Sequence, residues 1–203
     1  MISDITITRG TSEHLEAIRS MLTANDLPSA DVAAHVENFL LAWSGSELVG
    51  TIAVELLGED GVLRSLCVAP SFRDRGLGTR LGRSAEALAR NAGVRHLYLL
   101  TTTAGAFFER AGDTTCRRES VPDNVGRTAE FSSLCPLTAT CMVRNLDEDV
   151  SRGRPPDRLL HDAAIRHGSA TCSDGHDASS RTHPKAHLAQ NGANRVCHCP
   201  LHV

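Results

Sequence analysis

Arg73-Asp74-Arg75-Gly76-Leu77-Gly78 constrains the fold more than any other segment, because it stands where a strand hands over to a helix. Before it, Val62 to Val68 is a short apolar run suited to a buried strand, stopped by Pro70. After it, Leu77, Leu81, Ala85 and Leu88 recur at helical spacing until Gly93 ends the pattern. Gly76 and Gly78 lack Cβ atoms and let backbone N–H groups approach a ligand, while the new helix adds unpaired donors and a positive dipole end. A pyrophosphate fits such a cradle. On spacing alone the alternative is a surface turn with solvated arginines. The dinucleotide fingerprint fits poorly, since it needs a third glycine and an early parallel βαβ unit. No Gly-Lys-Ser or Gly-Lys-Thr follows, which excludes the phosphate loop of nucleoside triphosphatases.

The surrounding pattern predicts one α/β domain. Ile5 and Ile7 alternate with polar residues as an opening strand, and Thr11 or Ser12 caps a helix whose Leu15, Ile18 and Leu22 share a face. Asp26-Leu27-Pro28 breaks that helix, and a short second helix runs from Ser29 or Ala30 to about Glu37. Phe39 to Trp43 and Glu47 to Leu57 flank Ser44-Gly45-Ser46 as a hairpin, and Gly58-Glu59-Asp60-Gly61 is the next turn. A tight turn there sets Leu57 opposite Val62 and Glu55 opposite Arg64. Later come a strand at Leu97 to Leu100, a short helix near Ala104 to Arg110, a weaker strand after Gly112, a connecting turn and helix over Pro122 to Phe131, and a last strand at Thr138 to Val143.

At 203 residues with formal charge −3, the chain is long enough for one sizeable core and offers no electrostatic case for nucleic acid or an anionic membrane. No apolar stretch reaches the length of a membrane span, and Met1 to Arg9 has neither the basic start nor the apolar run of a signal peptide, so a cytoplasmic protein is expected. The seven cysteines are an odd number and Cys67 falls in a predicted buried strand, which points to reduced thiols.

The Arg-x-x-Gly-x-Gly pattern of Arg73, Gly76 and Gly78 resembles the loop with which GNAT acetyltransferases hold the pyrophosphate of acetyl-CoA. Leu66-Cys67-Val68-Ala69-Pro70-Ser71-Phe72-Arg73 resembles that family's strand leading into the loop, and the order of elements agrees from about Ile5 to Val143. Leu99-Leu100-Thr101-Thr102-Thr103-Ala104 followed by Phe107-Phe108, and Glu130-Phe131-Ser132-Ser133-Leu134-Cys135-Pro136, resemble the arsinothricin-type acetyltransferases encoded with bacterial arsenic-resistance genes. The Thr-Thr pair ahead of Phe-Phe is also similar to the acetyltransferase domain of N-acetylglutamate synthase. The resemblance implies a GNAT fold with a single mixed central sheet flanked by helices. It also implies an N-acetyltransferase that uses acetyl-CoA, needs no metal and acts as monomer or homodimer on a small amino-acid-like acceptor. Arsinothricin or phosphinothricin is the preferred acceptor, in detoxification, and glutamate the alternative.

Carried over residue by residue, the resemblance assigns cofactor binding to Leu66, Cys67, Val68, Arg73, Arg75, Gly76, Leu77, Gly78, Thr79 and Arg80, with the Val68 backbone N–H polarising the thioester carbonyl. For proton removal the best carboxylate is Glu55, in an otherwise apolar strand near Arg64. Two readings stay open: Glu55 and Arg64 form a structural pair, or Arg64 grips the acceptor's carboxylate or arsinate while water removes the proton. Thr101, Thr102 and Thr103 are candidate acceptor or pantetheine contacts, against ordinary strand preference for threonine. The place where many relatives carry a proton-donating tyrosine holds Phe108, and Gly112-Asp113 stands where Gly-Phe is usual, which is expected to weaken that corner. Cys135 and Cys141 have no histidine close in sequence to activate a covalent acetyl-cysteine, and Leu134-Cys135-Pro136 reads as a loop shaping the acceptor pocket.

Residues 1–146 thus form the transferase domain, and 147–203 a disordered extension rich in Arg, His, Ser, Asp and Pro. Seven of the ten histidines and three cysteines lie in that extension, ending in Cys197-His198-Cys199-Pro200-Leu201-His202. A soft metal or arsenite would suit that cluster, although its spacing is not that of a structural zinc site, and a non-catalytic metalloid binder is the reading from another class. A chain ending at Leu146 is expected to keep acetyl-CoA turnover and to lose any arsenite binding; lost turnover would make the extension part of the transferase.

Overall fold

The computed structural model describes residues 5–147, so the Cys/His cluster proposed for metal lies outside the described residues. Seven strands form one mixed sheet in the order β1-β2-β3-β4-β5-β7-β6. They are β1 (Ile5–Arg9), β2 (Phe39–Ser44), β3 (Glu47–Leu57), β4 (Asp60–Val68), β5 (His96–Thr101), β6 (Thr114–Thr115) and β7 (Thr140–Asn145). Only β4 and β5 run parallel, joined through the helix that opens at the glycine pair. The helices are α1 (Leu15–Ala24), α2 (Val32–His35), α3 (Leu77–Asn91), α4 (Gly105–Ala111) and α5 (Asp123–Gly126). No helix among the described residues is long and apolar enough to cross a membrane.

Periodicity explains most of these elements. The α1 stripe buries Ile18 and Leu22, and α3 buries Leu77, Leu81, Ala85 and Leu88 against the sheet. Gly50 permits the approach of α3 to β3, since a Cβ there would stand 2.8 Å from Leu81 Cδ1. The expected second helix shortens to α2, followed by a 3-10 turn over Val36–Asn38. Along β5 the side chains alternate: Leu97 and Leu99 join the large cluster that includes α1 and α3, while Tyr98 and Leu100 pack with Val125, Phe131 and Cys135.

The β3–β4 hairpin corrects the expected register. Leu57 pairs with Asp60 and Glu55 with Val62, so the connection is the two-residue turn Gly58-Glu59 and Arg64 lies opposite Ala53. The pattern predicts a four-residue turn; Gly58, at φ 81°, supplies the left-handed conformation that a shorter link requires. Farther along, Thr51 pairs with Cys67 and Ala53 with Arg64, which leaves Ile52 facing both Ser65 and Leu66. This is a β-bulge: Ser65 has φ 56°, and the buried Thr51 hydroxyl donates to the Ser65 carbonyl at 2.9 Å. Pairing of β4 with β5 stops at Val62 and Tyr98, although β4 continues to Val68 and β5 to Thr101. The two strands splay where the bulge lies.

Asp113 is not a weak point. Its carboxylate receives Arg144 Nη2 at 2.7 Å and Nε at 3.3 Å, and Arg144 Nη1 lies 3.3 Å from Glu86 on α3. All three groups are buried. Replacing Asp113 by Ala leaves a buried guanidinium short of a counter-charge and is expected to cost about 3 kcal/mol in urea unfolding; a loss below about 1 kcal/mol would show that the network is dispensable.

Candidate functional site

The loop after β4 places the glycine pair at the start of α3. Gly76 is the N-cap residue at φ 79°, ψ 6°, and the first turn carries no acidic side chain. A Cβ on Gly76 would meet no protein atom within 4 Å, so the glycine answers to backbone conformation and to open space ahead of the helix. Arg75 is exposed with its guanidinium 5.8 Å from the Phe72 ring centroid, and Thr79 and Arg80 are half-buried in the first turns. Leu77 and Gly78 are buried, offering backbone rather than side chains. These groups suit a phosphorylated ligand. Beside them is a small cleft, open to solvent, between α3 residues Thr79, Gly82 and Arg83 and α4 residues Phe107 and Phe108, with Asp113 and Arg144 also in its lining.

Arg73 lies differently from the rest of the loop. Its Nε donates to the Val68 carbonyl at 3.0 Å and its Nη2 to Asn25 Oδ1 at 2.8 Å, so its side chain braces the end of β4 against the end of α1. That contact also fixes the Val68–Ala69 peptide. Ala69 N–H bonds the Val49 carbonyl on β3 at 2.9 Å, and strand alternation therefore turns the Val68 N–H away from β3 toward the splay. Leu66, Cys67 and Val68 are fully buried. Burial pushes the Cys67 thiol up to about 11, against the opposing effect of Arg73, which makes it a packing group.

Glu55 and Arg64 meet as diagonal neighbours. Arg64 Nη1 is 3.9 Å from Glu55 Oε2, an atom that is buried and has no hydrogen-bond partner among the described residues. The Arg64 fork is filled by another group: Nη1 and Nη2 donate to the Asp31 carboxylate at 2.7 and 2.9 Å, and Nη2 also lies 3.4 Å from Glu130 Oε2. Burial lowers the guanidinium's pKa, but Glu130, Asp31 and Glu55 outweigh it and hold the group above its ordinary value. Asp31 thus occupies the fork that the sequence reading offers to an anionic acceptor. The Cys135 thiol donates to Glu130 Oε1 at 3.2 Å, which ties the Glu130-to-Pro136 segment to the same centre.

The threonines divide. Thr101 is buried and its hydroxyl accepts the Ala104 N–H at 3.0 Å, entering α4, whereas Thr102 and Thr103 are exposed. Phe108 is buried and meets Phe107 edge-on, with centroids 5.1 Å apart. Sequence reasoning missed Asp31, Asn25 and Thr51 as site-shaping groups. Asp31 contacts Arg64 from 33 positions away and no periodicity marks it; the one usable signal was the need of a buried arginine for a carboxylate.

Comparison with known proteins agrees with this fold. The profile of the Acetyltransferase (GNAT) family matches residues 12–112. Over 115 residues the chain is 30% identical to an uncharacterized N-acetyltransferase of Chlorobaculum tepidum, covering 55% of this chain and 70% of that protein. It is 29% identical over 91 residues to an amino-acid acetyltransferase of Neisseria meningitidis serogroup A, covering 44% of this chain and 21% of the relative. N-acetylglutamate synthase of Neisseria gonorrhoeae, solved with coenzyme A and N-acetyl-glutamate, gives a TM-score of 0.63 at 22% identity over 70% of this chain. The match spans only 35% of that synthase chain. Rv2747 of Mycobacterium tuberculosis, solved with CoA and NLQ, gives 0.60 at 21% identity, covering 69% of this chain and 98% of that one. At such identities the solved structures establish the fold.

Gly76→Val places a β-branched residue at a left-handed position and is expected to cost about 1–2 kcal/mol of stability. Because the space above Gly76 is open, the variant should still fold, and calorimetric titration should show coenzyme A affinity reduced roughly tenfold or more. Unchanged affinity would remove the cradle assignment.

Proposed function

Because the chain belongs to the GNAT family and is an acetyl-CoA-dependent N-acetyltransferase, we propose that it acetylates the α-amino group of a small amino-acid-like acceptor, arsinothricin or phosphinothricin before glutamate. The observation that carries a catalytic assignment is Glu55 Oε2, buried and without a hydrogen-bond partner among the described residues. A carboxylate oxygen held in that way is available to a proton.

Bound acetyl-CoA supplies the acetyl thioester. In this reading the backbone from Gly76 to Gly78, with Arg75, Thr79 and Arg80, holds its pyrophosphate, and the gap where β4 and β5 part admits the thioester end. The Val68 N–H donates to the carbonyl oxygen as negative charge develops, already oriented because Arg73 grips the Val68 carbonyl and Thr51 the bulge. Glu55 takes the proton of the acceptor's ammonium, directly or through one water. Arg64 is a positioning residue that fixes Glu55, Asp31 and Glu130 about one centre. Phe108 has no ionisable proton to give a departing thiolate, so this chain supplies no acid from that position.

The acceptor preference rests on resemblance and on one contact. The Glu130-to-Pro136 segment, which resembles the arsenic-linked enzymes, reaches Arg64 through Glu130 and is closed by Cys135. A second reading follows from the same charge count: three carboxylates around Arg64 give this end of the sheet a negative balance, which favours an acceptor with a second cation, such as a polyamine.

Thiol release from acetyl-CoA, with arsinothricin, phosphinothricin, glutamate and polyamines offered separately, tests these readings. Turnover with the first two alone supports the detoxification reading, glutamate turnover moves the enzyme to amino-acid metabolism, and polyamine turnover selects the second reading. With the best acceptor, Glu55→Gln is expected to lower kcat about a hundredfold and leave coenzyme A affinity unchanged; kcat within about threefold of wild type would exclude Glu55 as the proton acceptor.

A further inference from the structure

The smaller apolar cluster contains two thiols side by side. β6 pairs with β7 so that Thr114 faces Val143 and Thr115 faces Met142. The next step brings Cys116 opposite Cys141: the Cys116 N–H donates to the Cys141 carbonyl at 3.0 Å, and the two Sγ atoms are 3.2 Å apart. Both cysteines are free; Cys141 is buried and Cys116 half-buried. Neither belongs to the acetyl-transfer machinery described above.

We propose that Cys116 and Cys141 are a redox-active dithiol site that small-molecule disulfides close to an intramolecular disulfide and thiol reductants reopen. The register already presents one sulfur to the other, so closure needs no rearrangement of the strands. Their environments separate the roles. Burial, then the contact with Cys116, pushes the Cys141 thiol up to about 12, so Cys141 remains S–H while the more accessible Cys116 meets the reagent.

The Cys116 thiolate attacks one sulfur of the reagent, forming a mixed disulfide and expelling the first small thiolate. Cys141 then attacks Cys116 Sγ, its proton passing to an expelled thiolate, and the second small thiolate leaves. The sum is balanced: the two protein thiols are oxidised to one disulfide, and the reagent's disulfide is reduced to two thiols that carry away both protons.

Closure would tie together residues 25 positions apart in sequence. The enclosed segment includes Arg118, which donates to the Pro136 carbonyl at 2.8 Å and to those of Phe131 and Cys135, and Glu130, which faces Arg64. The oxidised protein therefore holds both ends of the segment that borders the Arg64 centre, and the unfolded chain loses entropy.

The test treats the full-length protein with oxidised glutathione and maps the unreduced peptides by mass spectrometry. The expected result is a loss of two protons and a peptide containing Cys116 joined to the one containing Cys141, with fragmentation excluding Cys135. Dithiothreitol should restore the reduced masses, and Tm should be higher in the oxidised form by about 5 °C. Cys141→Ser should leave Cys116 as a stable glutathione adduct. The proposal fails if the wild-type protein also stops at that adduct, if Cys116 does not react, or if all bridges form among other cysteines.

Discussion

The parting of β4 from β5 after Val62 and Tyr98 is the constraint on which the site depends. Backbone groups in a continuous sheet are consumed by their neighbours, and a ligand can use them only where the ladder stops. Here the ladder is stopped from within β4, by an extra residue opposite Ile52 and a left-handed Ser65. The bulge is anchored by a fully buried threonine hydroxyl, and the peptide beyond it by Arg73. One local irregularity thus aims a donor toward the gap, while α3 opens at Leu77, beyond the loop that follows the same strand, with the N–H groups of its first turn free of partners within the helix.

Charge at the other end of the gap is organised around a single buried guanidinium. Arg64 on β4 collects carboxylates from three separate parts of the chain: Asp31 before α2, Glu55 on β3, and Glu130 in the connection between α5 and β7. The contacts are unequal. Asp31 has a bidentate pair, Glu130 stands slightly farther off, and Glu55 is near enough to feel the charge but lacks a hydrogen bond at Oε2. That inequality leaves Glu55 as the member with spare capacity, and it makes Arg64 an organiser of acids.

What was legible in the sequence was mostly local. The strand-to-helix handover, the stripes of α1 and α3, and the order of strands follow from apolar period and glycine placement, because those signals act over a few residues. The hairpin register was not, since the pattern around Gly58 permits a turn of two residues or four, and the pairing changes with that choice. The resemblance points to the Val68 backbone N–H, but the bulge that precedes it, with its Ser65 hinge and Thr51 brace, carries no sequence signature. The fates of Arg64 and Arg73 escaped for a related reason. An arginine in a motif can face outward to a ligand or inward to a distant partner, and Asp31 and Asn25 are brought to them only by tertiary packing.

The triad of Glu86, Arg144 and Asp113 bears on how a sequence like this one can drift. A guanidinium and a carboxylate that share a buried pair, 31 positions apart, are each tolerable because the other is present. An apolar corner is an equally sound solution, but a chain moving from one solution to the other by single steps must pass through a protein that buries a charge with too little around it. The two solutions are separated by a barrier in sequence space, which only a coordinated change of both partners avoids.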